Sequence, residues 1–300
     1  MASRTGRRPR GTALSPLPAG SLLLVSTPIG NLEDLSPRGA AALSSADLVC
    51  CEDTRHTGKL FAHLGVPAPP LRSLHAHNEA SRVAEVLEAL SAGQVVVLCS
   101  DAGTPLVSDP GARLLAAALE AGVQVSAVPG PAALLDALVL SGFSGRFTFE
   151  GFLARKGPER KARLAAIARA EETSILYEAP GRVAATLGEL ETHCGPERRV
   201  AICRELTKLY EEVFRGTLAE ALEAKLVREP RGEYVVVVGP AEAAPVEGAD
   251  LTASLQALRA SGMSIRDAVR AVEVLQEVGH REAYAAALAL EREAVAPEGP

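Results

Sequence analysis

The side chains able to move a proton gather at a few places in this 300-residue chain, each where an apolar run gives way to polar residues. Cys50-Cys51 leads into Glu52, Asp53 and Arg55. Leu74 leads into His75, His77, Asn78 and Glu79, and the run ending at Cys203 leads into Glu205 and Lys208. Carboxylates, an imidazole and an ammonium at strand ends suit general acid–base work, in which a positioned group takes or gives a proton as a bond forms. Glu52, Asp53, His77, Glu79 and Lys208 are the candidates, with Lys156 behind them. Each has a structural alternative. Asp53 or Thr54 also reads as the cap of a helix running towards His63, and Lys208 with Glu205 as a surface ion pair. His75 and His77 alternate like residues on one strand face, without a third ligand. Five cysteines with no C-x-x-C spacing give neither a zinc site nor a disulfide framework, so no metal is expected.

The elements that must position these groups are strands with small-residue loops behind them. Val95-Val96-Val97-Leu98 is a continuous apolar run of the kind buried on both faces of a sheet, and it ends in Ser100-Asp101-Ala102-Gly103-Thr104-Pro105. Val123 to Val128 reads as a second buried parallel strand, ending in Pro129-Gly130-Pro131. In open α/β sheets ligands bind at the carboxyl ends of the strands, and side chains this small let backbone amides approach a ligand closely. The residues therefore mark a binding crevice. Leu22 to Ser26 with Thr27-Pro28-Ile29-Gly30-Asn31 repeats the pattern. Ser36-Pro37, Asp109-Pro110 and Gly130-Pro131 predict three helix starts with proline in the first turn. Neither G-x-G-x-x-G nor G-x-x-x-x-G-K-[ST] is present, which excludes the common dinucleotide and P-loop cradles.

Further strands are expected at Asp47–Cys51, Leu71–Leu74, Phe147–Phe152, Thr173–Tyr177, Arg199–Glu205, Glu212–Arg215 and Glu233–Val238, with helices between them. The organisation predicted is a basic tail over 1–20 and a first α/β domain over 21–145. A second α/β domain follows over 146–240, and a helix-turn-helix-like domain over 249–300 after a linker at Pro240–Gly248. In that last segment Leu251, Leu255 and Leu258 share a face, and Ser264 with Asp267 forms a capping pair. No apolar run is long enough for a membrane span and no secretory signal is present, which points to the cytoplasm. The net charge of −6 disfavours broad electrostatic binding of nucleic acid, and aromatics at 3% disfavour extended base stacking. Local cations remain, at Arg155, Lys156 and Arg160 and at Arg266 and Arg270.

Taken together, STPIGNLEDLSPR (26–38), CEDTRHTGKLF (51–61), HAHNE (75–79), SDAGTPLVSDPG (100–111), VPGPAALL (128–135), FEGFLARK (149–156), YEAPGR (177–182), RELTKLYEE (204–212) and GEYVVVVG (232–239) carry a family resemblance. The chain resembles the tetrapyrrole methylase superfamily, in its branch of small-subunit (16S) ribosomal RNA 2′-O-ribose cytidine methyltransferases. The resemblance covers roughly residues 21 to 240 and is weaker in the helical tail. It implies an α/β fold: two α/β domains with a cofactor cleft between them, plus a small C-terminal helical domain. It also implies S-adenosylmethionine as cofactor, ribosomal RNA or the assembled small subunit as substrate, and a homodimer. Carried over by position, the cofactor contacts are Pro28, Ile29, Ser100, Asp101, Ala102, Thr104, Ala132, Ala133, Tyr177, Glu178 and Leu206. RNA contacts are expected at Arg155, Lys156, Arg160, Arg266 and Arg270. Gly181 stands where the family usually has His or Asn. Two rivals remain at the level of sequence: a methyltransferase of a porphyrin-like small molecule, and a non-catalytic RNA-binding ribosome-assembly protein.

Overall fold

A computed structural model describes residues 18–75, 78–241, 251–276 and 278–295. His77, residues 1–17 of the expected tail and residues 242–248 of the expected linker lie outside the described residues. The chain forms two compact units that divide between Pro240 and Ala241.

The first half of the larger unit alternates strand and helix: β1 (Ser21–Val25), α1 (Pro37–Ser44), β2 (Leu48–Cys51), α2 (Thr54–Leu64), β3 (Leu71–Ser73), α3 (Glu79–Ser91), β4 (Val96–Cys99), α4 (Ala112–Glu120), β5 (Gln124–Val128) and α5 (Ala133–Ser141). All pairings in this sheet are parallel, in the order β3-β2-β4-β1-β5. Period-two alternation sorts the side chains. Leu23, Val25, Val49, Cys51 and Val97 pack under α1 and α2, through Leu43, Leu60 and Phe61. Leu22, Leu48, Cys50, Val96 and Leu98 pack under α3 and α4, through Val86, Leu90 and Leu114. With helices on both faces, the central strands β2 and β4 are buried at every residue, as their unbroken apolar runs require.

Two expectations need correction. β5 is not a buried strand: it is the sheet edge, paired only with β1, and Gln124, Ser126 and Ala127 are exposed. Of the three proline-marked helix starts, only α1 follows the rule, with the Ser36 hydroxyl accepting from the Gly39 amide and Pro37 in the first turn. α4 begins at Ala112 behind Gly111, and α5 at Ala133 behind Ala132. The loop before α4 carries Ser108 at φ 68° and Gly111 at φ 122°, so the chain cannot enter a right-handed helix at Pro110. α4 is capped from outside instead. Glu79 Oε1, at the start of α3, accepts from the amides of Arg113 (2.7 Å) and Leu114 (3.3 Å).

The second half comprises β6 (Phe147–Phe152), α6 (Pro158–Arg169), β7 (Thr173–Glu178), α7 (Pro180–Cys194), β8 (Arg199–Arg204), β9 (Glu212–Thr217), α8 (Leu218–Glu223), α9 (Lys225–Arg228) and β10 (Tyr234–Val238). Its sheet is mixed, in the order β6-β7-β10-β8-β9, with only β6 and β7 parallel. One face packs on α6 to α9 through Leu164, Leu187, Leu190 and Leu226. The other face, with Ile175, Ala201, Cys203, Val235 and Val237, packs on Leu134 and Ala137 of α5 and on Ile29 and Leu206. A helix of the first half thus supplies the core of the second, which makes residues up to Pro240 one compact unit.

The smaller unit is a three-helix cluster of α10 (Leu251–Ala260), α11 (Ile265–Gln276) and α12 (His280–Val295). Its core is Leu255, Ala268, Val269, Val272, Ala283 and Ala287. The Ser264 hydroxyl accepts from the Asp267 amide and donates to the Asp267 carboxylate, capping α11. Among the described residues no helix is long and apolar enough to cross a membrane.

The Glu79 cap gives a direct test. Glu79→Ala removes a charged acceptor from two amides and should destabilise the larger unit by about 1.5–3 kcal/mol. Urea denaturation would show the midpoint fall with the slope unchanged; an unaltered midpoint would mean that the amides find water at no cost.

Candidate active site

Three loops meet at the carboxyl ends of β1, β4 and β5, and they are stitched together by backbone. Thr27 and Gly103 form a two-way bridge, with Thr27 N donating to Gly103 O at 2.9 Å and Gly103 N to Thr27 O at 3.0 Å. The Thr27 hydroxyl donates to the Ser100 carbonyl (3.0 Å) and the Thr104 hydroxyl to the Pro131 carbonyl (3.2 Å). Ser26 Oγ and Thr104 Oγ1 lie 3.1 Å apart. This is why the residues are small: at Gly130 a Cβ would stand 2.9 Å from the Ser26 Cβ.

Opposite these loops stand the end of β7 and the start of β10. The two walls enclose a cleft of about 360 Å³, within the usual range for small-ligand sites. Of the expected cofactor contacts, Ile29, Ala102, Thr104, Ala132, Ala133, Tyr177 and Glu178 line it. Pro28, Ser100, Asp101 and Leu206 are not among its lining residues. The Ser100 hydroxyl turns under its own loop to the carbonyls of Ala102 and Gly103. Asp101 Oδ1 accepts from the Asp53 amide at 3.0 Å, tying the β4 loop to the β2 loop. Leu206 is buried in the shared core. Glu178 contributes surface, but its carboxylate is spent: Oε1 accepts from the Ala179 amide and faces Arg182 Nε at 3.2 Å, and Oε2 accepts from the Thr186 hydroxyl at 2.6 Å.

Lining residues that lie within the quoted motifs but are not among the expected cofactor contacts are Gly103, Val107, Ser108, Asp109, Phe152, Ala179, Pro180 and the stretch Glu233 to Val235. Phe152 was legible as an aromatic closing a strand, and it meets Tyr177 edge-on with ring centroids 5.6 Å apart. Asp109 reads as a helix cap in sequence and sits in the cleft wall instead. Its carboxyl is pushed up to about 6, first by burial and then by the nearby Glu52 and Asp101, with the Ser100 hydroxyl opposing them.

The acid–base candidates separate. Asp53 caps α2 and holds Arg55 through a two-pronged contact, which keeps its carboxyl well below the usual range. Glu79 is the cap of α4. Lys208 Nζ lies 2.8 Å from Glu205 and 2.9 Å from Glu233; burial lowers its affinity for the proton, and the two carboxylates outweigh that and raise it. A fully protonated, doubly paired ammonium does not accept a proton. Glu52 is exposed at the end of β2, and its carboxyl is raised by partial burial and by Asp101. His77 lies outside the described residues.

The RNA candidates separate as well. Arg155, Lys156, Arg266 and Arg270 are exposed. Arg160 is not: only 5% of its surface is exposed, and its guanidinium bonds Glu189 (2.8 Å), the Ala154 carbonyl (3.1 Å) and Thr186 (3.0 Å). It stands on the inner face of α6, with Leu164 and Ile167, so its place is in the wall behind Glu178.

The cleft is closed on one side by a clasp between the halves. Asn31 N donates to the Thr207 hydroxyl at 3.0 Å, and a Cβ at Gly30 would stand 2.4 Å from Lys208 Cγ. Glu205 and Thr207 bend this loop with left-handed backbone, at φ 52° and 64°. Glu205 is held from the other side by the Glu233 amide and packs on Gly232, itself at φ 74°.

Against this geometry stand the comparisons. Residues 21–222 match the family model described as Tetrapyrrole (Corrin/Porphyrin) Methylases. The chain is 43% identical over 276 residues to "Ribosomal RNA small subunit methyltransferase I" of Synechocystis sp., an alignment spanning 91% of this chain and 99% of the relative. It is 48% identical over 223 residues to the protein of the same name from Xylella fastidiosa, with 73% and 81% covered. Among solved structures it is similar to uroporphyrin-III C-methyltransferase from Thermus thermophilus complexed with S-adenyl homocysteine. There the TM-score is 0.54 at 23% identity, with 73% of this chain and 97% of that one covered.

The clasp can be probed by one glycine. At Gly232 a Cβ would fall 2.3–2.4 Å from the Glu205 carboxyl, whereas Gly65, at a similar φ of 67°, has open space around it. Gly232→Ala should cost more than the roughly 1 kcal/mol expected from φ alone at Gly65→Ala. Parallel thermal melts measure the difference; equal losses would show that the Glu205 packing contributes nothing.

Proposed function

The chain belongs to the tetrapyrrole (corrin/porphyrin) methylase family, and from that premise we propose that it methylates small-subunit (16S) ribosomal RNA at the ribose 2′-hydroxyl of a cytidine, using S-adenosylmethionine. The observation that carries the reading is the 43% identity with a named ribosomal RNA methyltransferase through 91% of the chain. A porphyrin-like substrate is disfavoured because the porphyrin enzyme shares the fold at 23% identity only. A purely RNA-binding role leaves the built cleft unexplained.

The cleft residues fit the cofactor. Ala102, Gly103, Ala132 and Ala133 leave their backbone accessible, and Ile29, Val107, Tyr177 and Val235 offer an apolar surface to a flat heterocycle. When bound, S-adenosylmethionine supplies an activated methyl group on a cationic sulfur. The chain's own work is then to hold two reactants in line, which can lower the barrier by up to about 7–11 kcal/mol, and to take the hydroxyl proton. Phosphates would be met by Arg155 and Lys156 beyond β6 and by Arg266 and Arg270 on α11. Such contacts position a nucleic acid without reading its sequence. Recognition of one cytidine would rest on the shape of the folded RNA, because the chain has few aromatic platforms.

The same reading includes a homodimer acting in the cytoplasm. The exposed apolar side chains of Leu135 and Val139 on α5 give a surface that a second copy would cover. Sedimentation at micromolar concentration should report two copies; a single chain throughout would remove the dimer from the reading.

Transfer of labelled methyl groups to purified small subunits, followed by digestion to nucleosides, should yield 2′-O-methylcytidine. Absence of label from both subunits and naked 16S RNA would refute the assignment. Arg155→Ala with Lys156→Ala should weaken binding for all sequences alike and flatten the salt slope by about 1.4–1.8 units. An unchanged slope would place the RNA elsewhere.

A further inference from the structure

A 2′-hydroxyl is a poor nucleophile, so methylation in this cleft calls for a group that accepts its proton. Among the described residues five titratable side chains line the cleft: Asp109, Tyr177, Glu178, Glu233 and Tyr234, whose hydroxyl donates to the Leu226 carbonyl at 2.6 Å. Glu178 is bonded to Ala179 N, Arg182 and Thr186, and Glu233 is paired with Lys208. Tyr177 holds its proton more tightly than an ordinary phenol, because burial raises its pKa. Asp109 is different. It stands in the wall beside Ala102 and Thr104, on the loop that also faces the end of β7.

The backbone is shaped to put it there. Leu106 and Ser108 both take left-handed φ, at 72° and 68°, conformations that are strained for a side-chain-bearing residue and cluster at functional sites. Across the cleft, β6 bulges between Phe149 and Gly151, and Gly151 leaves room for the Ser108 hydroxyl, which a Cβ there would approach at 3.2 Å. The strained turn, the bulge and the bare glycine together deliver the next residue, Asp109, to the cleft.

We propose that Asp109 is the proton acceptor for the substrate hydroxyl in this cleft. The proposal rests on the reading of the site as a 2′-O-methyltransferase and deepens it. The hydroxyl O–H bond breaks with its proton passing to an Asp109 carboxylate oxygen. The oxygen's electron pair forms the O–CH₃ bond, and the pair of the broken CH₃–S bond stays on sulfur, leaving a neutral thioether. Asp109 then returns its proton to water.

The electrostatics suit the role. Glu52 from the end of β2 and Asp101 from the end of β4 face Asp109 with like charge, the Ser100 hydroxyl lies near enough to oppose them in part, and the Tyr177 phenol lies on the β7 side. Burial and the two carboxylates hold its carboxyl at about 6, so it is ionised at neutral pH and more basic than an ordinary aspartate. Below that value the proton is already in place, and the rate should fall about tenfold per pH unit.

The test uses the full-length protein with small subunits as substrate and S-adenosylhomocysteine as the calorimetric probe. Asp109→Asn should lower kcat by about 10²–10⁴-fold and abolish the acid limb of the kcat profile, with the Kd for the probe changed less than about threefold. In the wild type, ¹³C-carboxyl NMR should show one carboxyl titrating near 6 that is missing from Asp109→Asn. Retained activity or a persisting acid limb in Asp109→Asn would each overturn the proposal, as would a limb left in place by Glu52→Gln, which should move it to lower pH because Glu52 raises the Asp109 carboxyl. So would loss of probe binding in Asp109→Asn, which would make the residue a structural part of the wall. An inactive wild type that still binds the probe would overturn the functional reading and the proposal together. An active wild type with an active Asp109→Asn would overturn the proposal alone.

Discussion

The two-way bridge between Thr27 and Gly103 is the contact on which the rest of the site depends. β1 lies between β4 and β5 in the sheet, so its terminal loop touches both neighbours. Bonded to Gly103 on one side and reaching Thr104 through Ser26, it converts three separate strand ends into one rigid rim. A rim made of backbone bonds tolerates only small residues, and that is what Ala102, Gly103, Gly130 and Ala132 are. The rim then continues through Gly30 and Asn31 to Thr207, so the floor of the first half and the wall of the second are joined by the chain that follows β1.

Charge in this unit is mostly spent on building it. Glu178, Arg182, Thr186, Arg160 and Glu189 form one connected network behind β7. Glu205, Lys208 and Glu233 form another at the clasp, where burial alone would raise the Glu205 carboxyl, and the Lys208 ammonium and the Glu233 amide outweigh it and bring it below its ordinary value. A partly buried polar network specifies geometry when every member is satisfied. Among the described residues the non-glycine residues with left-handed backbone, Leu106, Ser108, Glu205 and Thr207, fall in two loops of the larger unit. Strain concentrated at these two places, and supported by packing on both sides, is the pattern expected of preorganised ligand loops.

Much of the fold was legible, because the signals that specify it are local. Unbroken β-branched runs at Val95–Leu98 and Tyr234–Val238 become fully buried strands, and Ser36-Pro37 becomes a capped helix start. What failed to read were features decided by neighbours distant in sequence. Whether Val123 to Val128 is a central or an edge strand depends on which strand pairs with it, and the run itself does not say. Glu79 looks like an acid beside a histidine, and only the approach of α4, 34 residues further on, turns it into a cap. Arg160 belongs by composition to a basic surface, yet its position one turn before Leu164 and two before Ile167 points it inward, a periodicity that was readable in principle.

Asp109 shows why the chemistry is harder to read than the scaffold. In sequence, aspartate before proline is the ordinary signature of a helix entry, and local preference favours that use. The structure overrides it because Gly111, packed against Leu98 with no room for a Cβ, moves the helix start two residues on. The carboxylate freed from capping is left in a wall whose other acids are committed to arginine, lysine or amide partners. A residue whose local rule is broken by its surroundings, at a cost in backbone strain, is where a folded chain has exchanged stability for function. On this scaffold the bound methyl donor needs apolar walls and bare backbone, which the small-residue loops supply. The proton needs one ionised group in the same space, and the displaced helix start is what supplies it.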